Sequence, residues 1–220
     1  MKKGVTKTDD VDQLIQAALS EHDLPCTVIE QGKTVFRVQP TEFGHDARYY
    51  NPSSNSRYGH REEKVGVCYV AGSGEAAVAE TLQHGKEGPG TPVLQSEIEN
   101  RSLYTLTTAR ELKVVDAAAL AANSGFKLDA IVGSKGQEAE GYMLSQALSA
   151  ACMQLEDVDG ILYPSRVYPK TGSFEGCNLA LFDGRKTQLT LDCDTPLIDH
   201  EFSTGETIGE VLIRLKVQVE

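Results

Sequence analysis

Val65-Gly-Val-Cys-Tyr-Val-Ala71 is followed by Gly72-Ser-Gly74 and then by Glu75-Ala-Ala-Val-Ala-Glu-Thr-Leu82. The first piece is short, apolar and rich in β-branched side chains, which reads as a buried strand. The glycines break it. The third piece combines small, apolar and acidic residues of good helix propensity. The unit is therefore strand, tight turn, helix, with an aromatic hydroxyl (Tyr69) in the strand and a carboxylate (Glu80) on the helix. Just upstream, Arg57-Tyr-Gly-His60 adds a cation. A phosphate-bearing ligand with a second, reactive part needs groups of these kinds. Gly72-Ser-Gly74 has two readings: an anion site at the helix N-terminus, or a Ser cap beside turn glycines.

Outward from this unit, Asp10 to His22 has the helical period. Val11, Leu14, Ile15, Ala18 and Leu19 form one apolar face, and Asp10 with Gln13 would make a capping box. That face must bury against its own domain or a partner. Lys33 to Gln39 alternates like a strand and contains Arg37. Pro40 to Lys64 is long, polar and rich in Tyr, Asn, Ser, Arg and His, with Arg48, Tyr49, Tyr50, Arg57 and Tyr58 interleaving cations and rings. A loop of this length in a compact domain points to function or mobility.

Downstream, Gly85 to Pro92 is a turn-rich connection. Ser102 to Thr107 and Leu112 to Val115 read as strands, Asp116 to Asn123 as an Ala-rich helix ending near Gly125, and Ala139 to Leu155 as the best-formed long helix. Gly160 to Ser165 is a strand leading into a loop. Cys177 to Phe182 is a buried strand, and Thr187 to Leu191 another. Thr207 to Val219 mixes helical spacing with strand-like alternation. The expectation is one α+β domain with a mixed, largely antiparallel sheet core and helices around it. Residues 1–30 are expected as an N-terminal helical extension and 31–220 as the domain proper.

A chain of 220 residues can bury a substantial core, and its 40% apolar and 24% charged residues are ordinary for a globular protein. The net charge of −11 argues against direct nucleic-acid binding, which needs basic surface. No apolar run is long enough for a membrane helix, and Met1-Lys-Lys-Gly4 lacks the apolar stretch of a signal peptide. The five cysteines contain no C-x-x-C pair and read as reduced thiols of a cytoplasmic protein. His22, His45, His60, His84 and His200 lack metal-ligand spacing, so no metal is assigned.

Arg37 in a strand, Arg57 before an aromatic, Tyr69 in a Tyr-x-Ala strand, Glu80 in an Ala-x-x-Glu helix, and Ser165 after Asp159-Gly-Ile-Leu-Tyr163 form an ordered set. In order and interval this set resembles the RES-domain family, named for its Arg, Glu and Ser, from about residue 35 to about 182. The resemblance implies an ADP-ribosyltransferase-like fold and consumption of NAD⁺, by phosphorolysis to ADP-ribose 1″-phosphate and nicotinamide. It implies a bacterial toxin acting beside a helix-turn-helix antitoxin. NAD⁺ is then a substrate and phosphate a co-substrate, with no prosthetic group; homo-oligomers are allowed, a membrane is not. Arg37, Arg57, Tyr69 and Ser165 would bind NAD⁺, and Glu80, Arg57 and Tyr69 would serve catalysis. The chain departs from the family in Val38, where an aromatic often follows the first arginine, and in Ser56, where glycine usually precedes the second. The stacking contact is then either missing or supplied from the Tyr49/Tyr50 region.

The residue types fit that chemistry. Guanidinium matches two phosphate oxygens at once. Nicotinamide leaves an already cationic nitrogen and needs no proton, so one carboxylate suffices where ordinary glycosidases use two. Taken singly, each residue also has a plain structural reading: Glu80 on an exposed helix face, Arg37 in an ion pair, Tyr69 in the core, Ser165 in a turn. Two further functions stay open beside NAD⁺ phosphorolysis: ADP-ribosyl transfer to a protein, and a non-catalytic nucleotide-binding module.

Overall fold

The computed structural model describes residues 7–21, 24–83, 92–133, 142–168, 170 and 172–220. Along the chain these form α1 (Lys7–Glu21), β1 (Cys26–Ile29), β2 (Thr34–Pro40), β3 (Val67–Ala71), α2 (Gly74–Gln83), α3 (Gln95–Glu99), β4 (Arg101–Thr108) and β5 (Leu112–Asp116). There follow α4 (Ala117–Ser124), α5 (Leu128–Val132), α6 (Met143–Met153), β6 (Gly160–Pro164), β7 (Cys177–Phe182), β8 (Leu189–Pro196) and α7 (Ile208–Arg214). The strands make one curled sheet in the order β1-β5-β6-β7-β3-β2-β4-β8. Every pairing is antiparallel except β5 with β6. That parallel pair needs a long crossover, which α4, α5 and α6 occupy. The fold is thus α+β with a mixed, mostly antiparallel sheet among helices.

Local chemistry explains the punctuation. Ser73 Oγ accepts from Ala76 N–H at 3.2 Å and donates to the Glu175 carbonyl at 2.8 Å, so it caps α2 and ties the turn to the chain before β7. A Cβ on Gly72 would lie 1.9 Å from the Phe174 carbonyl oxygen, so only glycine fits. Asp116 caps α4 by accepting from Ala118 and Ala119 N–H, and Gly125 ends that helix at φ +70°.

Strand alternation sorts the core into faces. Leu179 and Leu181 of β7, with Cys68 and Val70 of β3, join Val35, Tyr104 and Leu106 on one side. Ala180 and Phe182, with Val67 and Ile161, face α4, α5 and α6 on the other. α2 and α7 pack with Val38, Ala71 and Leu103 in a third cluster. Helix α1 lies on α6, and its Ile15 is fully buried in the same cluster as Leu148 and Ile161. Val11, Ile15 and Leu19 of the apolar face of α1 are therefore covered by their own chain. No helix among the described residues is long and apolar enough to cross a membrane.

Several elements differ from expectation. Asp10 lies inside α1 rather than at its cap, because the helix begins at Lys7; His22 lies outside the described residues. β1 was not expected: four residues after Pro25 give too little pattern, and their pairing with β5 makes the strand. Residues 139–141 and 85–91 lie outside the described residues, and α6 is seen from Met143. Thr207, with Glu210, forms a capping box that settles the first half of the ambiguous segment as α7. Beyond it only Val219 bridges, to Val93.

Candidate active site

The sheet splays between β2 and β3. β2 pairs with β4 along its length but meets β3 only at Phe36 opposite Ala71. A cavity of about 390 Å³ opens at this split, bordered by Phe36, Arg37 and Val38 from β2 and by Tyr69, Val70 and Ala71 from β3. Glu80 and Ala77 from α2, Arg57 and Ser56 from the long loop, Tyr142, Tyr163 and Asn178 complete the wall. The volume lies within the ~300–1,000 Å³ of small-molecule sites.

Alternation aims the polar groups here. Tyr69, Tyr163 and Asn178 occupy neighbouring strands, and β6 and β7 bring Tyr163 opposite Asn178. Glu80 leans toward them from α2. Its Oε1 accepts from Ser165 Oγ at 2.8 Å and from Asn178 Nδ2 at 2.8 Å. Ser165 sits just past the end of β6 and is held by its backbone N–H on the Gly176 carbonyl. Its side chain is thus engaged with the carboxylate.

Arg57 is only 7% exposed, which is costly for a cation unless its surroundings compensate. Nε donates to the Gly133 carbonyl at 3.0 Å, and the guanidinium lies 5.4 Å from the centre of the Tyr163 ring. Burial disfavours its charge, but Tyr163, Tyr58, Glu80 and Tyr142 outweigh that, and its pKa stays above the ordinary value. Glu80 is the one carboxylate among these, so a buried guanidinium and a carboxylate share one cavity. The Nη nitrogens of Arg57 have no hydrogen-bond partner among the described residues. Tyr69 accepts the Tyr58 N–H at 2.9 Å through its hydroxyl, and burial raises its pKa, so the phenol is neutral. Tyr163 is also pushed well up by burial.

The structure therefore gathers Glu80, Arg57, Tyr69 and, through Glu80, Ser165. Arg37 is placed differently. It borders the cavity, but Nη1 donates to the Ala47 and Tyr49 carbonyls at 3.1 and 3.0 Å and contacts Cys68 Sγ at 3.3 Å. Arg37 shares strand parity with Val35, so its guanidinium reaches the thiol side of β3 rather than the Tyr69 side. The other arginines of the polar region are dispersed. Arg61 holds Asp12 and the Met143 carbonyl, Arg48 reaches the Leu189 carbonyl, and Arg166 stands 3.7 Å from Asp129. The stacking ring expected near Tyr49 and Tyr50 is not supplied by Tyr50, whose hydroxyl donates to Gln188 Oε1 at 2.5 Å.

Asn178 was missed by sequence reasoning, although it is 3% exposed and bonds the carboxylate directly. The available signal was one amide within the otherwise apolar Cys177-Asn-Leu-Ala-Leu-Phe182. Tyr142 and Tyr163 also line the cavity without having been singled out. The motif aspartate before β6, Asp159, lies elsewhere: it pairs with Arg110 and accepts the Lys113 N–H, joining β5 to β6.

A family model described as RES domain matches residues 34–202, more than half of the chain. No curated protein matches the chain.

Proposed function

The chain belongs to the RES-domain family, and from that premise we propose that it cleaves NAD⁺ at the bond between nicotinamide and ribose, with phosphate as acceptor. The observation that carries this reading is a carboxylate held by two neutral donors, Ser165 and Asn178, on the wall of a cavity that also holds a buried guanidinium. As the glycosidic C–N bond breaks, its electron pair returns to the pyridinium nitrogen and neutral nicotinamide leaves. Positive charge grows on the ribose. Glu80 stabilises it from a low-dielectric wall, where a fixed charge acts more strongly than in water. Arg57 offers its Nη groups to the pyrophosphate, and the Tyr69 and Tyr163 rings flank the ribose end. A phosphate oxygen then forms the new bond at C1″, giving ADP-ribose 1″-phosphate.

A second reading, hydrolysis, is favoured by one specific finding. A second anion beside the pyrophosphate needs additional cations. Arg37, Arg48 and Arg61 are engaged elsewhere. Incubation with NAD⁺, with and without phosphate, and identification of the products decides between the two. Unchanged NAD⁺ in both would overturn the proposal. Destruction of NAD⁺ arrests growth, so the same reading makes the protein a toxin acting in the bacterial cytoplasm, with a helix-turn-helix antitoxin as its partner. Induction without that partner should lower cellular NAD⁺ before growth stops.

A further inference from the structure

The loop that carries Arg57 has little apolar side-chain content, so burial alone cannot fix it; hydrogen bonds must. On the C-terminal side of Arg57 they converge on Tyr58. Its N–H donates to the Tyr69 hydroxyl, its hydroxyl donates to the Ile131 carbonyl, and its carbonyl accepts from Ser149 Oγ at 2.6 Å. On the N-terminal side the contact from α6 is a single side chain. Gln146 Nε2 donates to the Ser54 carbonyl at 2.6 Å and to the Ser56 carbonyl at 3.1 Å. Two carbonyls can be faced only by the nitrogen of that amide, so its orientation is fixed by chemistry. Gln146 and Ser149 stand three apart on α6 and share one face, and Arg61 adds the Met143 carbonyl one turn earlier. Arg57 lies between the two anchored neighbours, Ser56 and Tyr58.

We propose that Gln146 is a positioning residue: by holding the Ser54 and Ser56 carbonyls it sets the guanidinium of Arg57 at the cavity wall. Its role in substrate binding rests on the NAD⁺ reading above; its role as a clamp does not. The clamp is tested by amide hydrogen exchange in Gln146→Leu, which keeps the bulk and loses both donors. The Ser54 and Gly59 N–H groups donate within the loop, to Glu63 and Ser56, and the Tyr58 N–H donates to the Tyr69 hydroxyl of β3. They should exchange about tenfold faster, the scale of losing neutral hydrogen bonds, while amides of β3 and β7 keep their rates. Unchanged loop exchange overturns the proposal. If the leucine variant does not fold, Gln146→Asn, one methylene shorter, replaces it.

The positioning role is tested by NAD⁺ affinity in a double-mutant cycle with Arg57→Ala. Gln146→Leu should weaken binding about tenfold in the parent and add almost nothing in the Arg57→Ala background, because residues acting as one unit are not additive. Equal losses in both backgrounds would make Gln146 merely structural and overturn the proposal. If the parent protein neither binds nor consumes NAD⁺, the functional reading falls, and the exchange rates still decide the clamp.

Discussion

Ser165 Oγ stands 2.8 Å from Glu80 Oε1 and receives the backbone N–H groups of Val167 and Tyr168 at 3.3 and 3.0 Å. A hydroxyl has two acceptor lone pairs and one proton. With two N–H groups on its oxygen, the proton is directed at Glu80. Ser165 thus orients the carboxylate. Ser165→Ala should lower NAD⁺ turnover about tenfold through kcat, on the scale of one hydrogen bond to a charged group, and cost about 1–3 kcal/mol of stability from the unpaired N–H groups. KM for phosphate should not move. A raised phosphate KM at unchanged kcat would instead make Ser165 a phosphate ligand.

Glu80→Gln keeps an oxygen to accept from Ser165 and Asn178 but removes the charge that the NAD⁺-cleavage proposal sets against the growing cation. Turnover should fall ~10²-fold or more, as when a preorganised electrostatic group is lost. The melting temperature should change little, because the variant preserves size and both acceptor contacts. Near-parental turnover would rule out Glu80 as the charge stabiliser.

The two arginines of the sequence pattern should separate on substitution. Arg57→Ala should weaken NAD⁺ binding far more than binding of nicotinamide riboside, which lacks the pyrophosphate that guanidinium recognises. Arg37→Ala should act on the fold. Its Nη1 joins the Ala47 and Tyr49 carbonyls to β2, so its loss should lower the melting temperature and penalise both ligands alike. A selective loss of NAD⁺ affinity in Arg37→Ala would restore it as a pyrophosphate ligand.

This contrast shows how far the residues could be read in one dimension. The strand-turn-helix unit was legible because Val67–Ala71 is apolar, Gly72-Ser-Gly74 breaks the strand, and Glu75 to Leu82 favours a helix. Those signals are local. Arg37 was visible as an arginine in a strand, but its direction depends on strand parity and on where the Ala47–Tyr49 backbone passes. Gln146 was invisible for a related reason, and Asn178 showed only as one amide in an apolar strand. Neither belongs to a local motif, and each acquires its task only when β7 and α6 are brought against Glu80 and the Arg57 loop. β1 owes its strand state to its partner β5 rather than to its own four residues.

Within the NAD⁺-cleavage proposal, the acceptor is a separate chemical choice. Water needs no binding site, whereas phosphate must approach a pyrophosphate of like sign. Two unit charges 4 Å apart repel by about 1 kcal/mol in water and about 4 kcal/mol at an effective dielectric constant of 20. A phosphorylase therefore needs a cation that faces the acceptor. Among the arginines of this region, Arg166 lies near Gly133, whose carbonyl Arg57 holds. Under the phosphorolysis proposal, phosphate should accelerate NAD⁺ loss and appear in the product as ADP-ribose 1″-phosphate. Arsenate, similar in charge and shape, should replace it and leave ADP-ribose once its ester hydrolyses. Arg166→Ala should raise KM for phosphate while leaving NAD⁺ affinity close to parental. Equal rates of NAD⁺ loss with and without phosphate, with ADP-ribose as the sole product, would make the enzyme a hydrolase, the reaction favoured by arginines held at Asp12, Leu189 and Ala47.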